Sequence, residues 1–94
     1  RKRVNRTRAL QRERFKDDGI SSNAEMSEKH LNKYCVLSRE CEEILKYAFE
    51  SLKMSARARS RIIKVARTIA DMDLSENIEP KHLLEAISYR GDGL

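Results

Sequence analysis

Apolar residues recur at steps of three and four along most of this chain, which predicts a series of short amphipathic α-helices. The pattern is strongest between Cys41 and Leu52. Its apolar positions are Cys41, Ile44, Leu45, Ala48, Phe49 and Leu52. Ser38 stands just ahead of them, and a serine there can accept a hydrogen bond from an N–H of the first helical turn. We therefore expect a helix that starts after Ser38 and buries this face.

A second long helix is predicted to start after Ser55, which can cap it, and to run to about Asp73. One wide face of this helix is apolar and consists of Ile62, Val65, Ala66, Ile69 and Ala70. The opposite face carries Arg57, Arg61, Lys64 and Thr68. Arg59 projects on the apolar side, where a charge escapes burial only at the tip of the helix, beyond the core.

Two shorter helices complete the pattern. One follows Ser27 and has a buried face of Leu31, Tyr34 and Cys35. The other starts at Pro80 and has a buried face of Leu83, Leu84 and Ile87. The chain has only one proline and three glycines in 94 residues, and this composition favours helices over sheets. The predicted fold is all-α, a small bundle of four to five short helices with short links.

The first part of the chain differs from the rest. Val4, Leu10 and Phe15 do not line up at helical spacing, so residues 1–16 are predicted to form a solvated helix or a connector that needs a partner. The stretch DDGISS at 17–22 is predicted to be a loop. We therefore expect a basic connecting helix and loop at 1–22 and a helical bundle at 23–94, as one domain overall. Because no initiator methionine begins the sequence, we also expect a fragment of a longer chain.

Positive charge is concentrated in the same first segment. The net charge is +5, and residues 1–16 hold eight Lys or Arg against Glu13 alone. A basic segment of this kind favours contact with nucleic-acid phosphates. The candidates for nucleic-acid or subunit contact are Arg3, Arg6, Arg8, Arg12, Arg59 and Lys64. Aromatic residues are not interleaved with these bases, so stacking on nucleobases is not expected.

Several classes of function lack the residues that they need. The sequence has no glycine-rich phosphate loop and no spacing that pairs a nucleophile with a base. His30 and His82 have no ligand pattern around them, so no metal site is predicted. Cys35 and Cys41 are predicted to be reduced core residues, which favours a cytoplasmic protein. No apolar run is long enough to span a bilayer, so no membrane partner is expected.

The charges of the second long helix run against its dipole. Its five bases come first and its two acids stand at the C-terminal end: Arg57, Arg59, Arg61, Lys64 and Arg67, then Asp71 and Asp73. A helix dipole prefers the opposite order by about 0.3–1 kcal/mol per charge. Free N–H groups at a helix start bind anions, and arginine adds a bidentate donor. The pattern therefore predicts an anion such as phosphate at this helix start.

Two strings, SARARSRIIKVARTIAD and HLLEAISYR, are similar to those of a known family. They resemble the C-terminal domain of the magnesium-chelatase-subunit-I-like AAA+ ATPases, in the branch called ComM or YifB. The matching positions are 55–58, 61, 65–71, 82–83 and 85–90, with weaker matches at 9–14 and 22–26. The resemblance covers nearly the whole chain, from about Val4 to Arg90.

This resemblance implies a helical lid that follows a nucleotide-binding core and closes over ATP. It implies that Arg57 is the sensor-2 arginine, which contacts the γ-phosphate, with Arg61 as the second choice and Ser55 as the helix N-cap. ATP with Mg would be bound mainly by the core of the same chain. The parent is expected to be a cytoplasmic ATPase that forms a hexameric ring with neighbouring subunits. The branch is linked to DNA processing, so DNA is a further expected partner; the fragment alone is not expected to be an enzyme.

Two other functions are compatible with the residues. A freestanding nucleic-acid-binding helical domain would use the basic segment at 1–16 and the basic helix face. A purely structural oligomerisation module would need neither, and the unbalanced arginines argue against it.

Overall fold

The computed structural model describes residues 2–90, with side chains described for residues 5–89. Within that range it contains five α-helices and one 3₁₀ turn. They are α1 (Lys2–Arg14), the 3₁₀ turn (Asn23–Glu25), α2 (Glu28–Tyr34), α3 (Arg39–Ser51), α4 (Ala56–Met72) and α5 (Pro80–Arg90). The prediction of a small all-α bundle is confirmed. None of the helices in this part of the chain is long and apolar enough to cross a bilayer.

Helix α4 lies at the centre of the bundle. It packs against α1, the 3₁₀ turn, α2 and α5, and α5 in turn packs against α3. Ile62, Ala66 and Ala70 are buried along its predicted apolar face, and the two alanines allow a neighbouring helix to approach closely. The other large side chains of the core come from all parts of the chain: Phe15, Met26, Leu31, Leu45, Met54, Ile78 and Leu83.

Three residues assigned to buried faces lie at the surface. Phe49 and Leu52 are 38% and 39% exposed, and Leu84 is 54% exposed. In α3 the apolar stripe continues for one turn beyond the core, which ends at Ala48. In α5 Leu84 follows Leu83 directly, and adjacent residues of a helix point in different directions. The assignment of these three residues to the core was therefore wrong.

The helix starts follow the predicted caps. Ser38 Oγ accepts from the N–H of Cys41, and Ser55 Oγ accepts from the N–H of Ala58, both at 3.2 Å. Both serines have extended backbone, as an N-cap requires. Helix α2 starts after Ser27, as predicted.

Two histidines assist the starts of α2 and α5. The backbone N–H of Ser27 donates to His30 Nδ1 at 3.1 Å, and the N–H of Glu79 donates to His82 Nδ1 at 3.0 Å. Each imidazole therefore accepts the bond that a glutamate accepts in a capping box. This role explains both histidines without a metal.

Helix α4 ends in a Schellman motif without glycine. The N–H of Leu74 donates to the carbonyl of Asp71 at 3.0 Å, and the N–H of Ser75 donates to that of Ala70 at 2.8 Å. Leu74 has φ 56°, in the left-handed region. A leucine there costs about 1 kcal/mol relative to glycine, so this helix end is mildly strained.

Helix α1 is attached to the bundle through polar side chains. Thr7, Gln11 and Phe15 are buried, and they follow one another at intervals of four residues. Because two of the three are polar, this buried stripe does not appear in the pattern of apolar residues. Of the two alternatives for residues 1–16, a solvated helix does not fit, because α1 packs against α4.

Both cysteines are free and buried, as predicted. Burial raises the pKa of the Cys35 thiol to about 11. Its Sγ lies 4.0 Å from Met26 Sδ, in the core. At neutral pH this thiol is therefore protonated and unreactive.

Candidate phosphate-binding face

The start of α4 presents free backbone donors. The first N–H that bonds within the helix belongs to Arg59, which donates to the carbonyl of Ser55 at 3.1 Å. Ser55 Oγ satisfies the N–H of Ala58. The N–H groups of Ala56 and Arg57 therefore have no intrahelical partner and lie at the positive end of the helix dipole.

Three basic side chains line one groove beside this helix start. Arg57 and Arg61 are exposed and Lys64 is half-buried. These three residues are called the basic face below. The groove is completed by Ala24, Glu28, Ser60 and Val65. No ion pair joins the basic face to any side chain in the described range, so its positive charges are free to bind an external anion.

One acid lies in the same groove. The Ser60 hydroxyl donates to the Glu28 carboxylate, which links α4 to α2 across the groove. Glu28 is therefore hydrogen-bonded to Ser60 and forms no ion pair with the described side chains of the basic face.

Arg59 lies on another side of α4. Its guanidinium is 3.7 Å from the carboxylate of Glu42 in α3, and its side chain is 38% exposed. It escapes burial near the helix start, as expected. It does not share the groove of Arg57.

The arginines of α1 do not join the basic face either. Arg6, Arg8 and Arg12 are exposed, and none of the described side chains of α1 lines the groove. The side chain of Arg3 lies outside the described part of the chain. The structure thus brings together Arg57, Arg61 and Lys64 and separates them from Arg6, Arg8, Arg12 and Arg59.

The acid at the end of α4 has a different role from the one predicted. Asp71 was interpreted as a helix-end residue, but its side chain is fully buried. Its two oxygens accept from Arg14 in a bidentate pair of 2.7 and 2.9 Å. Asn23 Nδ2 donates to Oδ2 at 2.9 Å, and Arg67 Nε donates to Oδ1 at 3.1 Å. Gln11 Nε2 adds a bond of 3.3 Å.

Asp71 and its four partners are called the Asp71 network below: Asp71, Gln11, Arg14, Asn23 and Arg67. The network weakens the prediction of an anion site that was based on charges opposing the dipole of α4. Arg67 and Asp71 are partners one helical turn apart, and Arg67 also donates to the carbonyls of Ser75 and Glu76 at 2.8 and 3.0 Å. The charge order of α4 is therefore compensated at its C-terminal end. Only the basic face remains without a partner among the described side chains.

The environment of Asp71 keeps it ionised. Burial alone would raise its pKa, but the hydrogen bonds from Arg14 and Asn23 and the charges of Arg67 and Arg14 together hold the pKa of Asp71 below its ordinary value. A carboxylate with this many donors is satisfied, and no buried side-chain nitrogen or oxygen in the described range lacks a partner.

Asp73 also has a partner within the domain. It lies 2.9 Å from Nε2 of His82, whose side chain is buried. Because the N–H of Glu79 donates to Nδ1, the proton of the neutral ring is assigned to Nε2, which donates to Asp73. Within the described range, no three His, Cys, Asp or Glu side chains form a group that could hold a metal ion.

The Asp71 network is what sequence reasoning missed. One local signal existed, since Arg67 and Asp71 stand at the i,i+4 spacing of a helical ion pair. Nothing local identifies Arg14 or Gln11, because their partner lies 57 and 60 residues away.

Comparisons with known proteins agree with the resemblance noted in the sequence. The model of the family described as "Magnesium chelatase, subunit ChlI C-terminal" matches residues 1–90. The chain is 44% identical over 68 residues to the "Uncharacterized protein YifB" of Salmonella typhimurium, covering 72% of this chain and 13% of that protein.

Two further curated proteins extend the match. The chain is 43% identical over 68 residues to the protein of the same name in Escherichia coli, again covering 72% of this chain and 13% of that protein. It is 37% identical over 90 residues to the "Competence protein ComM" of Haemophilus influenzae, covering 96% of this chain and 17% of that protein. The chain therefore spans less than a fifth of the length of these relatives.

Proposed function

Because the chain belongs to the magnesium chelatase subunit ChlI C-terminal family, and is a C-terminal domain of a ComM/YifB-type protein, we propose that it is the helical lid of an AAA+ ATPase. In this proposal the bundle at 23–94 closes over ATP, and the segment at 1–22 connects it to the preceding ATPase core. Arg57 acts as the sensor-2 arginine and contacts the γ-phosphate, with Arg61 as a second donor one turn on.

The single observation that carries the proposal is the unpaired state of Arg57. This arginine is exposed at a helix start, beside two free N–H groups, and it forms no ion pair with a described carboxylate. A guanidinium there can donate two parallel hydrogen bonds to phosphate oxygens. It would stabilise the charge that spreads over the transferring phosphoryl group.

The remaining parts of the site belong to the parent. We propose that ATP and Mg are bound mainly by the core, and that neighbouring subunits of a hexameric ring contact this lid. Hydrolysis would then be coupled to subunit motion in the cytoplasm, with DNA as the substrate that is processed. The fragment supplies no nucleophile or base of its own in this scheme.

A second candidate is a freestanding nucleic-acid-binding domain. Arg6, Arg8 and Arg12 favour it, because all three are exposed and none is paired with a described side chain. A tight complex of the 94-residue chain with duplex DNA at physiological salt, weakening steeply as salt is raised, would support this alternative.

The proposal is tested by Arg57→Ala in the full-length protein. We expect kcat for ATP hydrolysis to fall by about 10³-fold, the scale for an arginine that stabilises a transferring phosphoryl group. Phosphate release measures the rate, and size-exclusion chromatography checks that the ring still assembles.

Arg39→Ala is the matched control. Arg39 is also an exposed arginine in the first turn of a serine-capped helix, but it lies beside Glu43 at 3.6 Å. We expect this variant to hydrolyse ATP at the wild-type rate. An assembled Arg57→Ala ring with wild-type hydrolysis would show that the sensor assignment is wrong.

A further inference from the structure

Among the described side chains, directional polar bonds hold helix α1 on α4. Of its described residues, Thr7 and Gln11 are buried and Leu10 is 39% exposed. Among the described side chains of this segment, the fully buried apolar one is Phe15, after the helix, whose ring meets Tyr34 edge-on at 5.1 Å between centroids. A 13-residue helix is marginal on its own in water, so α1 depends on these contacts for its position.

The Asp71 network defines one position of α1. Arg14 contacts Asp71 through both terminal nitrogens and also donates to Asn23 Oδ1 at 3.1 Å. Gln11 donates to Asp71 and accepts from the N–H of Asn23 at 3.1 Å. A planar bidentate pair tolerates little displacement, and sliding α1 by one turn, about 5.4 Å, would break every one of these bonds.

The same carboxylate is part of the helix that carries Arg57. Asp71 and Arg57 are fourteen residues apart in α4, which places them about 21 Å apart along the helix axis. Between them α4 is a continuous helix packed on four neighbouring elements, so it transmits a rotation as a rigid body.

We infer that Asp71 and Arg14 are positioning residues, which fix α1 to α4 so that a movement of α1 reorients Arg57. This inference rests on the proposed function, in which the ATPase core precedes α1. The network would then make the connector and the arginine-bearing helix one rigid unit. Neither residue touches the nucleotide in this arrangement.

The test is Arg14→Gln in the full-length protein. This variant removes the bidentate pair between α1 and α4, and it leaves the Gln11 bond to Asp71 and the pair of Arg67 and Asp71 within α4. We expect kcat for ATP hydrolysis to fall by about tenfold, because misorienting a catalytic group by a small distance is costly. The KM for ATP should change by less than about twofold, because the nucleotide is bound mainly by the core.

Lys16→Gln is the matched control, with the same loss of charge two residues further along. Lys16 is exposed and pairs only with Glu13 among the described residues. We expect wild-type kcat and KM from it. Gln11→Ala is a milder break of the same network, with a smaller fall in kcat in the same direction, and it replaces Arg14→Gln if that variant does not fold.

A second measurement separates positioning from general stability. In the 94-residue chain, Arg14→Gln should raise amide hydrogen exchange in α1 by about tenfold and leave α4 and α5 protected. An equal loss of protection in all helices would overturn the inference. So would an assembled Arg14→Gln ring with wild-type kcat.

The two proposals fail in different ways. If Arg57→Ala abolishes hydrolysis and a folded Arg14→Gln does not lower it, only the positioning role is wrong. If Arg57→Ala itself hydrolyses ATP normally, the sensor assignment is wrong, and the positioning role falls with it.

Discussion

The two ends of α4 carry the same residue type in opposite circumstances. At the C-terminal end, Arg67 is buried and donates hydrogen bonds to Asp71 and to two loop carbonyls. At the N-terminal end, Arg57 is exposed and is paired with no described side chain. One arginine stabilises the fold and the other is free for a ligand.

The comparison shows that the role of an arginine is decided by its partners rather than by its place in a charge pattern. The prediction of an anion site from the helix dipole gave the same weight to every base of α4. In the structure, Arg67 and Asp71 neutralise each other, and Arg59 has Glu42. Fewer side chains than the sequence implied are therefore available to bind an anion, namely those of the basic face.

The largest predicted effect comes from removing the buried charge. Asp71→Asn keeps the shape of the side chain but leaves Arg14 and Arg67 without a counter-charge, and their side chains are only 15% and 4% exposed. We expect the free energy of unfolding to fall by about 3–5 kcal/mol, measured by urea denaturation.

Arg57→Gln at the other end of α4 is the control for that comparison. Because Arg57 is exposed and unpaired, its replacement should change the free energy of unfolding by less than about 0.5 kcal/mol. If Asp71→Asn and Arg57→Gln lowered the free energy of unfolding by similar amounts, the described difference between the two ends of α4 would be wrong.

Acid should weaken the same end of the helix, to a smaller extent. The pKa of Asp71 is lowered from 3.8 in the folded chain, so its contribution to stability is complete above that value and is lost as pH falls below it. We expect the urea midpoint to drop as the pH falls below 3.8 and on through the lower pKa of the folded chain. In Asp71→Asn this part of the pH dependence should be absent, and an unchanged profile would contradict the assignment.

A smaller loss of stability than that of Asp71→Asn is expected from removing the cap at the N-terminal end. Ser55→Ala removes the acceptor for the N–H of Ala58 and should lower the free energy of unfolding by about 1 kcal/mol. The same measurement on Ser38→Ala, the matching cap of α3, should give a similar loss. No loss in either variant would mean that these serines do not cap their helices.

Local features of the fold were predictable from the sequence, and features that join distant segments were not. Ser38 and Ser55 identify helix starts because their partners lie three residues away. The apolar face of α4 was found because its spacing is regular. Arg14, by contrast, lies in a basic segment where exposure is the ordinary expectation, and only the folded chain shows that it meets Asp71.

The candidate site was predictable to the same extent. Ser55, Arg57 and Arg61 lie within two turns of one helix, so the sequence alone places them together. Arg59 could not be separated from them by charge, because its pairing with Glu42 depends on how α3 packs. The rest of the groove is lined by Ala24 and Glu28, which belong to the 3₁₀ turn and to α2.

The burial of both cysteines has a practical consequence. Cys35 and Cys41 are shielded, and the Cys35 thiol with its pKa of about 11 is almost entirely protonated at neutral pH. A new cysteine introduced on the surface of α1 or α4 can therefore take a maleimide dye while the native thiols stay unlabelled. A pair of such dyes, one on each helix, would report the distance between α1 and α4 in a chain that keeps both of its native cysteines.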